Sequence, residues 1–385
     1  MRGFFAKLRE TGPAKRGHLP AIMPDTRPEA GSTLVPDSRI VEPQTTTRRT
    51  AARKKHTSRH PVLSFVGGSL MALLCLELAF HNFSGKTESS LGVEQREYRE
   101  GIAKSHFLPN GLRITGNPQI PGAPDVLLLG DSHIEGFALN DKQTMGSILE
   151  RRLRADGKPW NVEQYGWSGA DGPDYIFEAS MVRNEYHPAW IFLLMTFGDV
   201  GSTVTEGARL VEKDGRVVAE PAHPGGTPGR PPSYGGPLER KLKESALLYA
   251  ATVHFHLEVW PRITGAKGQQ QAQDMVRSET SQQTVDTIMR GLKDSYGTGL
   301  HILYAPTQPF SANPPVEPQE VALMQACKTY GMNCRSLRDR MINDLMVNHK
   351  IDRGFMNTTP GDGHLNARGH ELAADEIYDW LNSGN

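Results

Sequence analysis

Three short runs of this chain are apolar at nearly every position: "DVLLLG" from Asp125, "AWIFLLMTF" from Ala189 and "LHILYAP" from Leu300. A strand that is apolar without alternation has both faces buried, and such strands belong to parallel sheets covered by helices on each side. The intervening stretches agree. "QTMGSILERRLRAD" places Met145, Ile148, Leu149 and Leu153 on one helical face, "NVEQYG" reads as another strand, and "DYIFEASMVRNEY" reads as a helix. Later come a helix from Pro318 to Tyr330, which Gly331 ends, and a last helix over "HELAADEIYDWL". Strand–helix alternation of this kind predicts an α/β domain of three layers, helix–sheet–helix, over residues 121–385.

Between about residues 204 and 299 the alternation is interrupted by an insertion. It opens with "ARLVEKDGRVVAEP", a hairpin in which Asp214-Gly215 suits a type I′ turn. A loop rich in Pro and Gly follows, then amphipathic helices around Leu238–Leu257 and Met275–Leu292. His254 and His256 stand two apart on the first of these, so they face different ways and do not form a metal pair. No other arrangement suggests a metal, and nothing implies a cofactor.

The region before residue 121 has a different character. Residues 1–60 hold thirteen Lys/Arg against five acidic residues, are rich in Pro, Thr and Gly, and lack apolar periodicity, which predicts a disordered basic tail. Over the whole chain Lys+Arg and Asp+Glu balance at 43 each, so global charge does not point to nucleic acid. From Val62 to Ala79 only Ser64, Ser69 and Glu77 break an apolar run of eighteen residues, a helix of about 27 Å, near the thickness of a bilayer core. Residues 61–83 are therefore expected to be an uncleaved transmembrane anchor and 84–120 a polar linker. The basic leader places the N-terminus in the cytoplasm and the domain outside the inner membrane, on the periplasmic side. There Cys327 and Cys334 have two open readings, a disulfide across a helix-to-strand turn or two small buried hydrophobes.

In an open parallel sheet the reactive groups gather beyond the carboxyl ends of the strands. Ser132 stands at such an end in "LLLGDSHIEGF", "GWSG" (Gly166–Gly169) at a second and Gly198-Asp199 at a third. Asp362 and His364 precede the last helix in "GDGHLNARGHEL". These segments, in this order over Asp125–Leu381, resemble the SGNH, or GDSL-type, hydrolase superfamily of serine esterases and acyltransferases.

The resemblance implies a Ser–His–Asp mechanism. Ser132 would attack an ester carbonyl, His364 would act as base and then acid, and Asp362 would orient His364. Backbone N–H groups of Ser132 and Gly169 would hold the oxyanion. The sequence departs from the family at two places. Gly198 stands where the family usually carries an oxyanion-binding asparagine, and loss of such a donor typically costs ~100- to 1000-fold in turnover. The usual Asp-x-x-His is shortened to Asp362-Gly363-His364, a spacing found in relatives that O-acetylate exported polysaccharides.

The expected substrate is an acyl ester of a cell-envelope or exported carbohydrate, handled beside envelope-biosynthesis partners. Trp167, with Tyr175, Phe137 and Phe310, is a candidate for stacking on sugar rings, against the more common reading of aromatic residues as core. Two other functions stay open: a lipid or thioester hydrolase on the same triad, and a degenerate glycan-binding or scaffold domain, which Gly198 motivates.

Overall fold

The computed structural model describes residues 61–83, 85–89, 92–97, 100–101, 103–224 and 281–383, with isolated positions between 225 and 280. The basic tail, all but two positions of the expected helix at 238–257, and both of its histidines lie outside the described residues.

In chain order the elements are α1 (Pro61–Phe83), β1 (Gly85–Ser89), β2 (Gly92–Glu97), β3 (Ala103–Phe107), β4 (Asp125–Gly130), α2 (Ser132–Glu135), α3 (Met145–Ala155), β5 (Asn161–Gly166), α4 (Gly172–Met181) and β6 (Trp190–Met195). Then follow β7 (Ala208–Lys213), β8 (Arg216–Pro221), α5 (Gln282–Tyr296), β9 (Leu300–Tyr304), α6 (Pro318–Tyr330), β10 (Asn333–Ser336), α7 (Arg338–Asn343) and α8 (Ala367–Asn382). The five strands β10-β9-β6-β4-β5 form one sheet in that order, and every pairing in it is parallel. The chain winds outward from β4 to β5, then crosses β4 to lay down β6, β9 and β10. The reversal leaves a crevice between the carboxyl ends of β4 and β6, where ligands bind in such sheets.

The pleat explains why these strands carry no polar alternation. Leu127 and Leu129 of β4, Leu193 and Met195 of β6, and Ile302 and Tyr304 of β9 pack in one layer with Tyr175 of α4, Ile288 of α5 and Leu323 of α6. The alternate residues Val126, Leu128, Phe192, Leu194 and Leu303 pack on the other side with Leu149 of α3, Met341 of α7 and Trp380 of α8. This is the three-layer α/β/α arrangement expected from the apolar runs.

The Asp214-Gly215 hairpin forms as β7–β8, with both turn residues at positive φ (51° and 74°) as a type I′ turn requires. Cys327 at the end of α6 and Cys334 on β10 are joined by a disulfide. Helix α1 contains one stretch, Val62–Phe80, that is long and apolar enough to cross a membrane, and none of it is buried by the rest of the protein.

The expected linker at 84–120 requires correction. It contains β1, β2 and β3, which make an antiparallel sheet of their own. Past β3 the chain turns back, and the Arg113 backbone N–H donates to the Gln164 carbonyl (2.7 Å) on β5. The α/β domain is thus bordered by chain from before residue 121.

The turn after β4 is pressed against the end of β5. A Cβ at Gly166 would stand 2.7 Å from the Asp131 carbonyl oxygen and 2.9 Å from the Glu135 nitrogen, both backbone atoms. Gly166→Ala must therefore displace the turn that carries Ser132. Overpacking of this kind costs ~1–3 kcal/mol, so the variant should melt several degrees lower in a thermal scan. An unchanged melting temperature would show that the contact is slack.

Candidate active site

Strand β4 ends in Gly130, and α2 begins one residue later. Asp131 caps this short helix, its Oδ1 accepting the His133 backbone N–H (2.8 Å), and Gly136 closes it in the left-handed conformation. The tight strand-to-helix turn projects Ser132 into the crevice. The segment before α8 comes to meet it: Arg353 bridges Leu365, and the Gly354 N–H donates to the His364 carbonyl (2.9 Å). The result is a hydrogen bond of 2.7 Å between Ser132 Oγ and His364 Nε2.

The other ring nitrogen of His364 does not meet Asp362. Nδ1 lies 2.6 Å from Glu100 Oε1, and the His364 backbone N–H donates to Glu100 Oε2 (3.2 Å). Asp362 is exposed, and its Oδ1 accepts the N–H of the adjacent Gly363 (2.9 Å). The orienting role expected of Asp362 is therefore corrected: the carboxylate on His364 is Glu100, at 10 % side-chain exposure. The physical reason is the turn at Gly363, at φ +84°, which points Asp362 outward and leaves room for a carboxylate from a distant segment. Sequence reading missed Glu100 because it lies in the stretch taken for a linker. The signal available was a carboxylate deficit, the shortened Asp-x-His, and nothing in it pointed to residue 100.

Glu100 is held firmly. Its carbonyl accepts the Asn357 N–H (3.0 Å), and a Cβ at the next residue, Gly101, would stand 2.9 Å from the Phe355 ring. Arg353 fixes the other side of the loop. Its buried guanidinium donates to the carbonyls of Ala305 (2.9 Å), Pro306 (2.8 Å) and Gly363 (3.0 Å), and reaches His133 Nε2 at 2.9 Å. Burial lowers the pKa of Arg353 from its ordinary value, partly offset by nearby acids. It also pushes the His133 imidazole down, and because a guanidinium only donates, His133 Nε2 must accept. His133 is then neutral, with its Nδ1–H directed at the Asp131 carboxylate (3.1 Å).

Gly169 has φ +88° and open space where a side chain would stand, so its backbone can lie against a ligand. Its neighbour Ser168 is fixed by Glu135, a buried carboxylate that accepts both the Ser168 N–H (2.8 Å) and its hydroxyl (2.5 Å). Gly198 ends the turn after β6, and the nearest atom to a Cβ there is Thr196 Oγ1 at 3.8 Å. Asp199 beside it turns inward, accepting Thr196 N–H and hydroxyl (2.5 and 2.7 Å) and the Tyr175 hydroxyl (2.5 Å). Burial and the Asp131 charge push its carboxyl up to about 8.

The expected stacking role of Trp167 is also corrected. The ring is buried in the core layer at 6 % exposure, and its indole N–H donates to Glu178 (2.8 Å). Tyr175 is fully buried, whereas Phe137 stands edge-on to His364 with ring centres 5.3 Å apart. Phe310 is 62 % exposed. A small cavity of about 10 Å³ beside Ser132 and His364 is lined by Phe137, Leu139 and Phe355, among others. No group of three or more His, Cys, Asp or Glu suited to a metal occurs among the described residues.

No protein-family model matches this chain, and no curated protein sequence matches it. Solved structures do. A two-domain esterase (CEX) active on acetylated mannans, co-crystallised with mannopentaose, is similar at 11 % identity and TM-score 0.38, over 68 % of this chain and 49 % of that one. This chain thus spans about half the length of that protein. LAE5, an α/β hydrolase enzyme from the metagenome of Lake Arreo, Spain, is similar at 10 % identity and TM-score 0.37, over 70 % of this chain and 100 % of that one. The acetyl xylan esterase AlAXEase is similar at 10 % identity and TM-score 0.35, over 67 % and 99 %.

The geometry separates the two carboxylates experimentally. Glu100→Gln should lower turnover of p-nitrophenyl acetate by up to ~10,000-fold, because an amide can hold His364 in the wrong tautomer. Asp362→Asn should stay within about twofold of wild type. The reverse ranking, measured on variants with unchanged melting curves, would return the role to Asp362. At Gly198 a Cβ meets no atom closer than 3.8 Å, and Gly198→Asn should raise that turnover, by as much as the ~100-fold that one oxyanion donor supplies.

Proposed function

We propose that this chain is a serine acyl-ester hydrolase or O-acyltransferase of SGNH type, acting on carbohydrate esters of the cell envelope. The observation that carries this reading is the unbroken series Ser132 Oγ–His364–Glu100, at 2.7 and 2.6 Å, at the carboxyl end of a parallel sheet. His364 Nε2 takes the Ser132 proton as Oγ bonds to the acyl carbon, and the carbonyl electron pair moves onto oxygen. Backbone N–H groups of Ser132 and Gly169 receive that oxyanion. The carbonyl re-forms, the alcohol departs with the proton from His364, and an acyl-Ser132 ester remains. Water, or a sugar hydroxyl in the transfer reaction, then gives its proton to His364 and attacks the acyl carbon. As the acyl–Oγ bond breaks, His364 returns that proton to Ser132 Oγ, releasing a carboxylic acid or a new sugar ester.

Helix α1 is the anchor in this reading, with the basic tail in the cytoplasm and the catalytic domain on the periplasmic side. A non-catalytic scaffold has no need of a hydroxyl, imidazole and carboxylate in register, so the geometry favours catalysis despite Gly198. A fluorophosphonate probe should label the folded protein on Ser132, located by peptide mass, and Ser132→Ala should abolish both labelling and p-nitrophenyl acetate turnover. A folded wild-type protein that neither labels nor turns over would leave the scaffold reading in place.

A further inference from the structure

The carboxylate on His364 comes from the segment joined directly to the hydrophobic helix, and strand pairing limits how far apart the two can be. Seventeen residue steps lead from Phe83 to Glu100, enough for ~58 Å if extended. They are not extended. β1, β2 and β3 lie side by side in that order, all neighbours antiparallel, with Gly85 opposite Arg96 and Arg96 opposite Lys104. The start of β1, the end of β2 and the start of β3 therefore share one end of the sheet. Phe83 precedes β1 at that end, and Glu100 lies in the β2–β3 turn at the same end, beyond the pair Glu97–Ala103.

A cross-strand step of ~5 Å, two residues from Phe83 to Gly85 and four from Arg96 to Glu100 keep these two residues within about 26 Å. A folded chain of this size is about 50 Å across. His364 touches Glu100, and Ser132 lies across one imidazole ring from it, so a short path of strand, turn and side chains ties the nucleophile to the end of the anchor. An independent feature lies beside Glu100. Phe355 packs on Gly101 and the Asn357 N–H donates to Glu100, and between them in the chain Met356 is an apolar side chain 72 % exposed.

We infer that the site is built to work at the bilayer surface, on an acyl ester presented there by a membrane-bound lipid, such as an O-acylated glycolipid. This rests on the esterase and anchor readings above. Its test is a displacement. A helical (EAAAK)-repeat spacer of about thirty residues, placed between Phe83 and Gly85, lifts the domain by ~45 Å without touching the site. Full-length native and spaced proteins are reconstituted, domain outward, in phosphatidylcholine vesicles containing an O-acetylated glycolipid. A Gly/Ser spacer of equal length serves as a second variant.

Both spaced forms should turn over soluble p-nitrophenyl acetate within about twofold of native, while acetyl loss from the glycolipid falls at least tenfold with the rigid spacer. Equal glycolipid rates in native and rigidly spaced protein would overturn the inference. So would a native protein that deacetylates the water-soluble head group and ignores the glycolipid. Loss of both activities in both spaced forms would mean that spacing damages the site itself, and overturns it too. If the native protein does not attack p-nitrophenyl acetate at all, it is the esterase reading that has failed, and this inference falls with it.

Discussion

The contact between Glu100 and His364 is the one on which the arrangement of the site depends. It joins residues 264 positions apart, at 2.6 Å, and draws together the stem next to the hydrophobic helix and the loop before the last helix. Without it, Ser132 and His364 would form a pair whose imidazole has no fixed tautomer. The carboxylate is bound to both Nδ1 and the backbone N–H of the same histidine, so it orients the ring and the main chain that carries it. Two such bonds to one carboxylate are more directional than a bare ion pair, and partial burial shields them from solvent. Arg353 completes the support by holding the Gly363 carbonyl from the opposite side.

A second constraint is the closeness of the β4 and β5 ends. Gly166 lets the turn bearing Ser132 lie on the end of β5, and Glu135, at the end of that turn, binds Ser168. The Ser132 hydroxyl and the N–H of Gly169 thus belong to one rigid unit. Preorganised donors of this kind need no reorganisation when charge develops, which is the source of their value in a transition state. Gly198 offers no side-chain donor on the β6 side, and Asp199 beside it is committed to Thr196 and Tyr175.

The fold was largely legible because the strands of a doubly covered sheet must be apolar throughout, and β4, β6 and β9 are. The hairpin was legible from Asp214-Gly215, since few residue pairs accept positive φ twice. Ser132 and His364 followed from their places at strand and loop ends. Glu100 did not, because a carboxylate that acts through tertiary contact leaves no periodic or local mark, and β1–β3 carry no apolar alternation to announce a sheet. Trp167 misled for the opposite reason: a strand-end aromatic looks available in sequence, yet here Glu178 satisfies its indole N–H inside the core. Asp362 misled because local spacing cannot show that a glycine at positive φ turns a side chain outward.

The charge state of the site follows from geometry alone. His133 and His364 lie with ring centres 4.9 Å apart, and two imidazolium ions at that distance would repel by about 3 kcal/mol at an effective dielectric constant of 20. The protein removes the conflict through Arg353. Its guanidinium donates to His133 Nε2, which obliges that nitrogen to carry a lone pair and leaves the ring's single proton on the side facing Asp131. His133 is thereby fixed as a neutral bridge between a buried cation and a buried anion. Only His364 has one nitrogen bound to a carboxylate and the other to a hydroxyl. Of two adjacent histidines, one is fixed by a buried arginine and the other faces a hydroxyl and a carboxylate, and the arginine is what tells them apart.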